Sequence, residues 1–277
     1  MLTRILSVTF MLQAFVLQAN AQQDGEKRLL RVKNKVERIK KYYYDPEQKV
    51  RILDVHEYYN KDGERVKAYV YGGYPKPYNK IVGQFNERHQ LTESTTFGAG
   101  DVIKTRRVHD YDSAGNRIAT RQFTEDNEVI SDQKSAYDKQ GRLVSVWTQS
   151  HVTSEYYMSL ECTYSEDGKE GMSISYNQSG ERINMTRTVY KDGKISHTYR
   201  HDGVKELLGT IYRYDEKGQL VERVKGRDSL KPWEGFSPIG ESDQFHYDDK
   251  GNLVQEDRFI NDELVTRYQY VYFYRKG

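Results

Sequence analysis

Tyr111-Asp112-Ser113-Ala114-Gly115-Asn116-Arg117-Ile118 is written again, with small changes, on both sides of itself. Tyr59-Asn60-Lys61-Asp62-Gly63, Tyr137-Asp138-Lys139-Gln140-Gly141-Arg142-Leu143, Tyr214-Asp215-Glu216-Lys217-Gly218-Gln219-Leu220 and Tyr247-Asp248-Asp249-Lys250-Gly251-Asn252-Leu253 are close copies. Phe85-Asn86-Glu87-Arg88-His89-Gln90-Leu91 is a degenerate one. The first aromatics of the copies, Tyr59, Phe85, Tyr111, Tyr137, Tyr164, Tyr190, Tyr214 and Tyr247, follow one another at steps of 26, 26, 26, 27, 26, 24 and 33 residues. A step this regular marks a tandem array.

The residue types explain why each copy turns the chain. An Asp or Asn after the Tyr folds its side chain back onto nearby backbone N–H groups, and the Gly four residues after the Tyr supplies the positive φ of a tight hairpin connection. A strand then starts at the apolar residue beyond the glycine. Weaker turns fall half a period later, at Phe123-Thr124-Glu125-Asp126-Asn127, Tyr176-Asn177-Gln178-Ser179-Gly180, Tyr199-Arg200-His201-Asp202-Gly203 and Phe259-Ile260-Asn261-Asp262-Glu263. Each period therefore holds two turns and two strands. Between turns the chain is rich in Val, Ile, Thr and Tyr with alternation of period two, clearest in Tyr268, Tyr270, Tyr272 and Tyr274, which must share one face of a strand. The fold expected is all-β: an antiparallel β-meander of about nine tandem 26-residue two-strand repeats, about eighteen strands, in a curved or coiled sheet.

Residues 29–43 allow two readings. A first strand ending at Tyr44 is favoured by the turn-like Tyr44-Asp45-Pro46-Glu47 that follows, while Leu29, Val32, Val36 and Ile39 also fit a helical stripe over residues 26–38. Two connections are long: Gly72-Gly73-Tyr74-Pro75-Lys76-Pro77-Tyr78, and residues 226–242 with Pro232, Trp233, Phe236 and Pro238. Strict alternation of strand direction places both on one edge of the sheet, twelve strands apart, or roughly 58 Å at ~4.8 Å per strand if the sheet is flat.

Composition limits the function classes. Residues 1–21 read as a signal peptide, with Arg4, an apolar stretch from Ile5 to Leu17 and the small-x-small site Ala19-Asn20-Ala21. That stretch falls short of the ~20 residues of a membrane span. No cysteine follows the site to carry a lipid, so residues 22–277 are expected to be one repeat domain, secreted or periplasmic, without a membrane span once the signal is removed. The chain is 36% hydrophobic and 30% charged, which suits a sheet wetted on much of its surface. Its 24 tyrosines are expected to bury a ring while keeping the hydroxyl in water. Cys162 is the single cysteine, so no intrachain disulfide forms. With 43 basic and 41 acidic residues interspersed, the net charge of +2 gives no overall attraction to nucleic acid or anionic membrane.

The Tyr-Asp-x-x-Gly-x-Leu/Ile unit at Tyr111, Tyr137, Tyr214 and Tyr247 resembles the YD (RHS) repeat. The resemblance implies a long antiparallel β-ribbon that spirals, in some members closing into a hollow shell around a cargo toxin. About nine repeats are far fewer than such shells contain, and the Asp-Pro-x-Gly-Leu boundary and following toxin region are absent, so toxin delivery is not implied here. Short Tyr-x-x-Gly sheet repeats of the MORN-like kind are a second resemblance, and imply an interaction platform.

No catalytic or metal constellation emerges, and no cofactor is expected. His197 and His201 are four apart, but they flank a turn rather than share a helix face. Ser150 and His151 are neighbours on an extended segment and point to opposite faces. Phosphate-cradling glycine motifs are absent. Acidic turns such as Asp248-Asp249-Lys250-Gly251-Asn252 lack the distal Glu of a calcium loop, and their Asp is expected to cap its own turn. The candidate ligand-binding residues are the loop aromatics Tyr74, Tyr78, Trp233 and Phe236, suited to stacking on a sugar ring or a partner's apolar surface, or to covering the sheet edge. The function expected is a binding or scaffold module for protein or glycan, without catalysis. The alternatives are a hydrolase of an extracellular polymer with paired carboxylates ~5 to 9 Å apart, and a structural protein self-associating through exposed edge strands near Tyr44 and Tyr272.

Overall fold

The computed structural model describes residues 25–45, 49–150, 154–201, 206–225 and 240–276. Trp233, Phe236, His151 and the leader lie outside the described residues. Helix α1 spans 25–33. Eighteen strands follow: β1 (Val36–Asp45), β2 (Val50–Tyr59), β3 (Arg65–Val70), β4 (Asn79–Phe85), β5 (Leu91–Phe97), β6 (Ile103–Tyr111), β7 (Arg117–Phe123), β8 (Val129–Tyr137) and β9 (Leu143–Gln149); then β10 (Tyr156–Tyr164), β11 (Glu170–Tyr176), β12 (Arg182–Lys191), β13 (Lys194–His201), β14 (Glu206–Tyr214), β15 (Leu220–Lys225), β16 (Glu241–Tyr247), β17 (Leu253–Ile260) and β18 (Glu263–Tyr274). Each strand pairs antiparallel with its neighbours in sequence, and β1 also pairs with β18, from Val36↔Tyr274 to Tyr44↔Arg267. The meander is therefore a closed barrel.

Closure overturns one expectation. The strands near Tyr44 and Tyr272 are not free edges, because each supplies the other's missing ladder: Tyr44 pairs with Arg267 and Ile39 with Tyr272. Edge-to-edge pairing between chains is thus excluded at these two strands. The ambiguous N-terminal piece resolves into both readings in succession, a helix over 25–33 and then β1. Between them Lys35 adopts a positive φ of 52°, which stops the helix.

The YD turns share one construction. In the turn at Tyr111, Asp112 N–H donates to the Asn116 carbonyl (2.9 Å) and Gly115 N–H to the Asp112 carbonyl (3.1 Å). The Asp112 carboxylate accepts the Asn116 N–H (2.8 Å) and its side-chain amide (2.9 Å). These bonds hold the Asp112 carboxyl below the usual range, chiefly through Asn116. Asp138, Asp215 and Asp248 repeat the pattern, so the aspartate caps its own turn as its spacing implies. Gly115 has a φ of 93°, open to glycine and strained for other residues. A β-bulge beside Tyr111, Tyr137, Tyr214 and Tyr247 shifts the register, as between Asp110 and Tyr111.

The tyrosine hydroxyls depart from expectation. Six of them bond to backbone carbonyls: Tyr111 donates to that of Leu91 (2.9 Å), Tyr137 to Arg117 (3.0 Å), Tyr164 to Leu143 (3.0 Å), Tyr214 to Ile195 (2.9 Å), Tyr247 to Leu220 (2.9 Å) and Tyr272 to Leu253 (2.9 Å). Each repeat is thereby tied to the one before it. Side chains tie the turns as well, with Gln90 reaching the Gly115 carbonyl (2.9 Å) and Gln219 that of Gly251 (3.0 Å). For the first turn α1 plays the part of a preceding repeat: Arg31 donates to the Gly63 carbonyl (2.8 Å) and lies over the Tyr59 ring at 4.6 Å. Asn34 reaches Lys250 and Asn252 on the other side of the β1–β18 junction. The helix thus staples that junction. No helix among the described residues is long and apolar enough to cross a membrane.

The ladder registers sort strand residues onto two faces. The turn tyrosines share one face with Ile39, Ala68, His109, Val146, Cys162 and Thr188. Those six are all buried, although among the described residues α1 is the sole element outside the sheet longer than a single turn. This is the inner, concave face, where side chains converge. The outer face carries rings and charges in alternation. At ~4.8 Å per strand an eighteen-strand ring has a diameter of at least roughly 27 Å. Side chains pointing inward therefore pack chiefly on those of neighbouring strands, and among the described residues Val36 and Thr188 are the large side chains that become fully buried. The apolar clusters are correspondingly local: Leu143, Val146 and Cys162 with neighbouring rings, and Val36, Ile39 and Tyr59 with Tyr270 and Tyr272.

Candidate functional site

Strands β1, β2 and β18 run from the helix-stapled rim to the opposite one, where the 71–78 loop leaves β3. There Tyr43, Ile52, Asp54, Gly72, Gly73 and Tyr268 line a concavity of about 310 Å³. The sequence builds it from three local features. First, β2 carries a bulge at Asp54, between the Lys41↔Val55 and Tyr42↔Leu53 pairs. The Asp54 carbonyl there accepts the N–H groups of Tyr71 (2.7 Å) and Gly72 (3.4 Å), which anchors the start of the loop. Second, Gly72 and Gly73 adopt positive φ of 54° and 87°. A Cβ on Gly72 would stand 2.9 Å from the Tyr78 ring, so glycine there lets the loop fold closely over its own tyrosine. Third, the register that joins β1 to β18 sets Tyr43 directly opposite Tyr268, with ring centroids 6.1 Å apart and planes at 63°.

Charge is sparse and held in place. Lys41 Nζ sits 3.6 Å from the centre of the Tyr268 ring and 3.8 Å from Asp54. Burial, then the Asp54 carboxylate, push the Tyr268 hydroxyl up from its ordinary value, so it is a neutral donor at physiological pH. The lining therefore offers two rings at an angle, an aliphatic wall from Ile52, one carboxylate and one ammonium. Such a surface stacks on an apolar face and bonds to polar groups at its edge.

Of the residues singled out by sequence, Tyr74 and Tyr78 lie in the adjoining loop. They form an edge-to-face pair with centroids 6.1 Å apart, 65% and 44% exposed, so they do not fold down to cover the sheet. Tyr43, Tyr268, Ile52 and Asp54 escaped sequence reasoning, since each looks like an ordinary strand residue. The second long connection, residues 226–239, is anchored by Lys225 and Glu241 on the same rim. Closure brings its anchors within six strands of the 71–78 loop around the short side of the ring, a span of roughly 25 Å across a round ring. A smaller hollow of about 240 Å³ lies on the same rim between Tyr69, Pro77, Lys80 and Asp101. Among the described residues no group of three or more His, Cys, Asp or Glu side chains is arranged to hold a metal ion.

No protein-family model matches the chain, and no curated protein does. Among solved structures, the TcdB2-TccC3-Cdc42 complex is similar at 14% identity and a TM-score of 0.31, over 80% of this chain and 13% of that one. A porin-like protein from Bacteroides uniformis is similar at 9% identity and a TM-score of 0.46, over 86% of this chain and 98% of that one. A porin-like protein from Bacteroides vulgatus gives 14% identity and a TM-score of 0.31, over 85% of this chain and 97% of that one. The chain thus spans only 13% of the length of the TcdB2-TccC3-Cdc42 chain it resembles.

Proposed function

We propose that the protein is an exported β-repeat barrel, secreted or periplasmic, that acts as a binding module, and that the rim concavity with the adjoining Tyr74–Tyr78 pair takes a glycan or a segment of another protein. The observation that supports this reading is the convergence at one rim of four tyrosines from β1, β18 and the 71–78 loop, two of them exposed in a loop held by glycines. Tyr74 and Tyr78 offer large, rigid contact area at small entropic cost. Binding is favoured over hydrolysis of a polymer because the concavity is lined by a single carboxylate, Asp54, which faces Lys41 instead of a second acid.

A glycan array and a pull-down with the purified protein test the reading, each repeated with Tyr74→Ala/Tyr78→Ala, with Tyr43→Ala and with Trp233→Ala/Phe236→Ala. Loss of a bound ligand in the first two variants supports the site. A ligand bound equally by all of them removes this rim from the function.

A further inference from the structure

The outer face treats its cations in two ways. Around the ring many are paired with a carboxylate: Arg106 with Glu93 (3.4 Å), Arg121 with Asp110 (2.9 Å), Arg187 with Glu170 (3.1 Å) and Glu206 (2.7 Å), Arg213 with Glu222, and Arg267 with Asp257 (2.6 Å), while Lys134 stands singly over the Tyr156 ring (4.1 Å). Across β1, β2 and β3 such cations cluster. Among the described residues Lys40 and Lys67 have no carboxylate partner and lie over rings, Lys40 over Phe273 at 5.5 Å and Lys67 between Tyr58 (5.3 Å) and Tyr69 (5.6 Å). Arg38 lies over Phe273 at 4.9 Å, with Glu37 no nearer than 3.8 Å.

A second observation falls on the same patch. Among the described residues, buried side-chain nitrogens without a hydrogen-bond partner occur at Arg38 Nε and His56 Nε2. His56 is 8% exposed, its ring lies tilted at 33° against Tyr58 with centroids 4.4 Å apart, and its Nδ1 lies 3.3 Å from the Tyr58 hydroxyl. When that hydroxyl donates to Nδ1, the proton on Nε2 has no acceptor in the protein. Both atoms are closed to solvent, whereas the Arg38 side chain as a whole is 38% exposed, so an acceptor from outside meets the rest of that side chain and the two lysines. The registers set Arg38 opposite Tyr58 and Tyr58 opposite Lys67, while Lys40 stands opposite His56. Arg38 and Lys67 thus stand two strands apart in one row, roughly 10 Å, with Lys40 and His56 in the next row.

We propose that this outer patch of Arg38, Lys40 and Lys67, set among Tyr58 and Phe273 and lying over the buried His56, binds an acidic polysaccharide, with carboxylate or sulfate groups on the cations and sugar faces on the rings. Cations separated by whole strands fit a polymer that carries one acidic group every few ångströms less well than one that spaces them widely. Nucleic-acid phosphates recur about every 3.4 Å along a duplex strand, whereas a glycan of alternating acidic and neutral sugars matches the wider interval. Half-buried rings between the cations favour sugars over a flexible acidic peptide, because they offer flat apolar area where a peptide needs strand edges or pockets. The closed ladder offers no edge to such a peptide.

The experiment is calorimetric titration of the purified protein with chondroitin sulfate, using uncharged dextran, poly-glutamate and anionic phosphatidylglycerol vesicles as parallel arms. Chondroitin sulfate should bind, more weakly as salt rises, and dextran should not. Lys40→Gln/Lys67→Gln should weaken that binding by at least about tenfold with an unchanged circular dichroism spectrum, and His56 ring signals should shift on titration. Arg213→Gln, on the paired part of the outer face, and Tyr74→Ala/Tyr78→Ala, at the rim, should leave it intact, which separates this surface from the rim site. Absence of chondroitin sulfate binding, binding that survives the double lysine substitution, or binding confined to poly-glutamate or to vesicles would overturn the proposal.

Discussion

The tyrosine ladder lends itself to a quantitative test. Replacing Tyr137 by Phe keeps the ring in the Leu143 cluster and removes only the hydroxyl that donates to the Arg117 carbonyl at 3.0 Å. An intramolecular hydrogen bond of this kind contributes about 0.5–1.5 kcal/mol net. For a domain of this size 1 kcal/mol shifts the melting temperature by roughly 2–4 °C. Tyr247→Phe removes the equivalent bond to the Leu220 carbonyl on the far side of the ring, with no shared neighbour, so the two losses should add within about 0.5 kcal/mol. Tyr137 and Tyr164 both touch the Leu143 cluster, and their combined loss should depart from the sum. Tyr42→Phe is the control: its ring lies under Arg51 on the outer face and its hydroxyl has no hydrogen-bond partner among the described residues. Thermal and urea unfolding followed by circular dichroism measure the parent protein, the four single variants and the two double ones. If Tyr137→Phe and Tyr247→Phe melt where Tyr42→Phe does, the hydroxyls do not tie the repeats together and the account of the ladder is wrong.

Three further outcomes are expected. Burial raises the hydroxyls of Tyr214 and Tyr247 to about 12. Their contribution to stability is whole below pH 10 and is lost as pH rises from 10 through 12, so tyrosinate absorbance should lag behind that of free tyrosine and appear together with unfolding; complete ionisation near pH 10 in a folded protein contradicts this. Burial, then Arg117 and Arg107, lower the His109 imidazole to about 4. The fold thus favours neutral His109, whose contribution is whole above pH 6.5 and is lost as pH falls from 6.5 through 4, and His109→Gln should flatten the acid limb of a stability–pH curve by about one proton. The Cys162 thiol is buried beside Leu143 and Val146 and pushed up to about 12, so its reaction with a disulfide reagent at pH 8 should wait on unfolding and its rate should rise with urea; rapid labelling of the native protein would place Cys162 elsewhere.

The repeat was legible because its turn chemistry is local. Asp112, Gly115 and the bulge beside Tyr111 are specified within a few residues, so strand number, direction and approximate bounds follow from a period. Closure was not legible, since nothing near Ile39 announces that its partner is Tyr272. That pairing depends on how far each bulge bends the sheet, summed over all eighteen strands. The same step hid half of the rim site. Tyr74 and Tyr78 stand out in a Gly/Pro loop, but Tyr43 and Tyr268 become neighbours only across the β1–β18 junction. The tyrosine hydroxyls were read as wetted because an isolated sheet would leave them so. A curved one presents each with a carbonyl from the strand alongside.

The pairing of β1 with β18 also has a consequence for the order in which the molecule comes into being. Every other ladder joins segments that leave the ribosome one after the other, and each can form as soon as its second strand is out. The last ladder joins Val36 to Tyr274, so its first half must wait for nearly the whole chain. Until then the growing sheet has two open sides, each a template for another chain. Arg275 follows directly, reaching back to the carbonyls of Val36, Tyr59 and Asn60. A chain truncated before Glu263 should form most of its hairpins and still aggregate, whereas a circularly permuted one, opened at any turn and joined near residues 25 and 276, meets the same closing step at a different place.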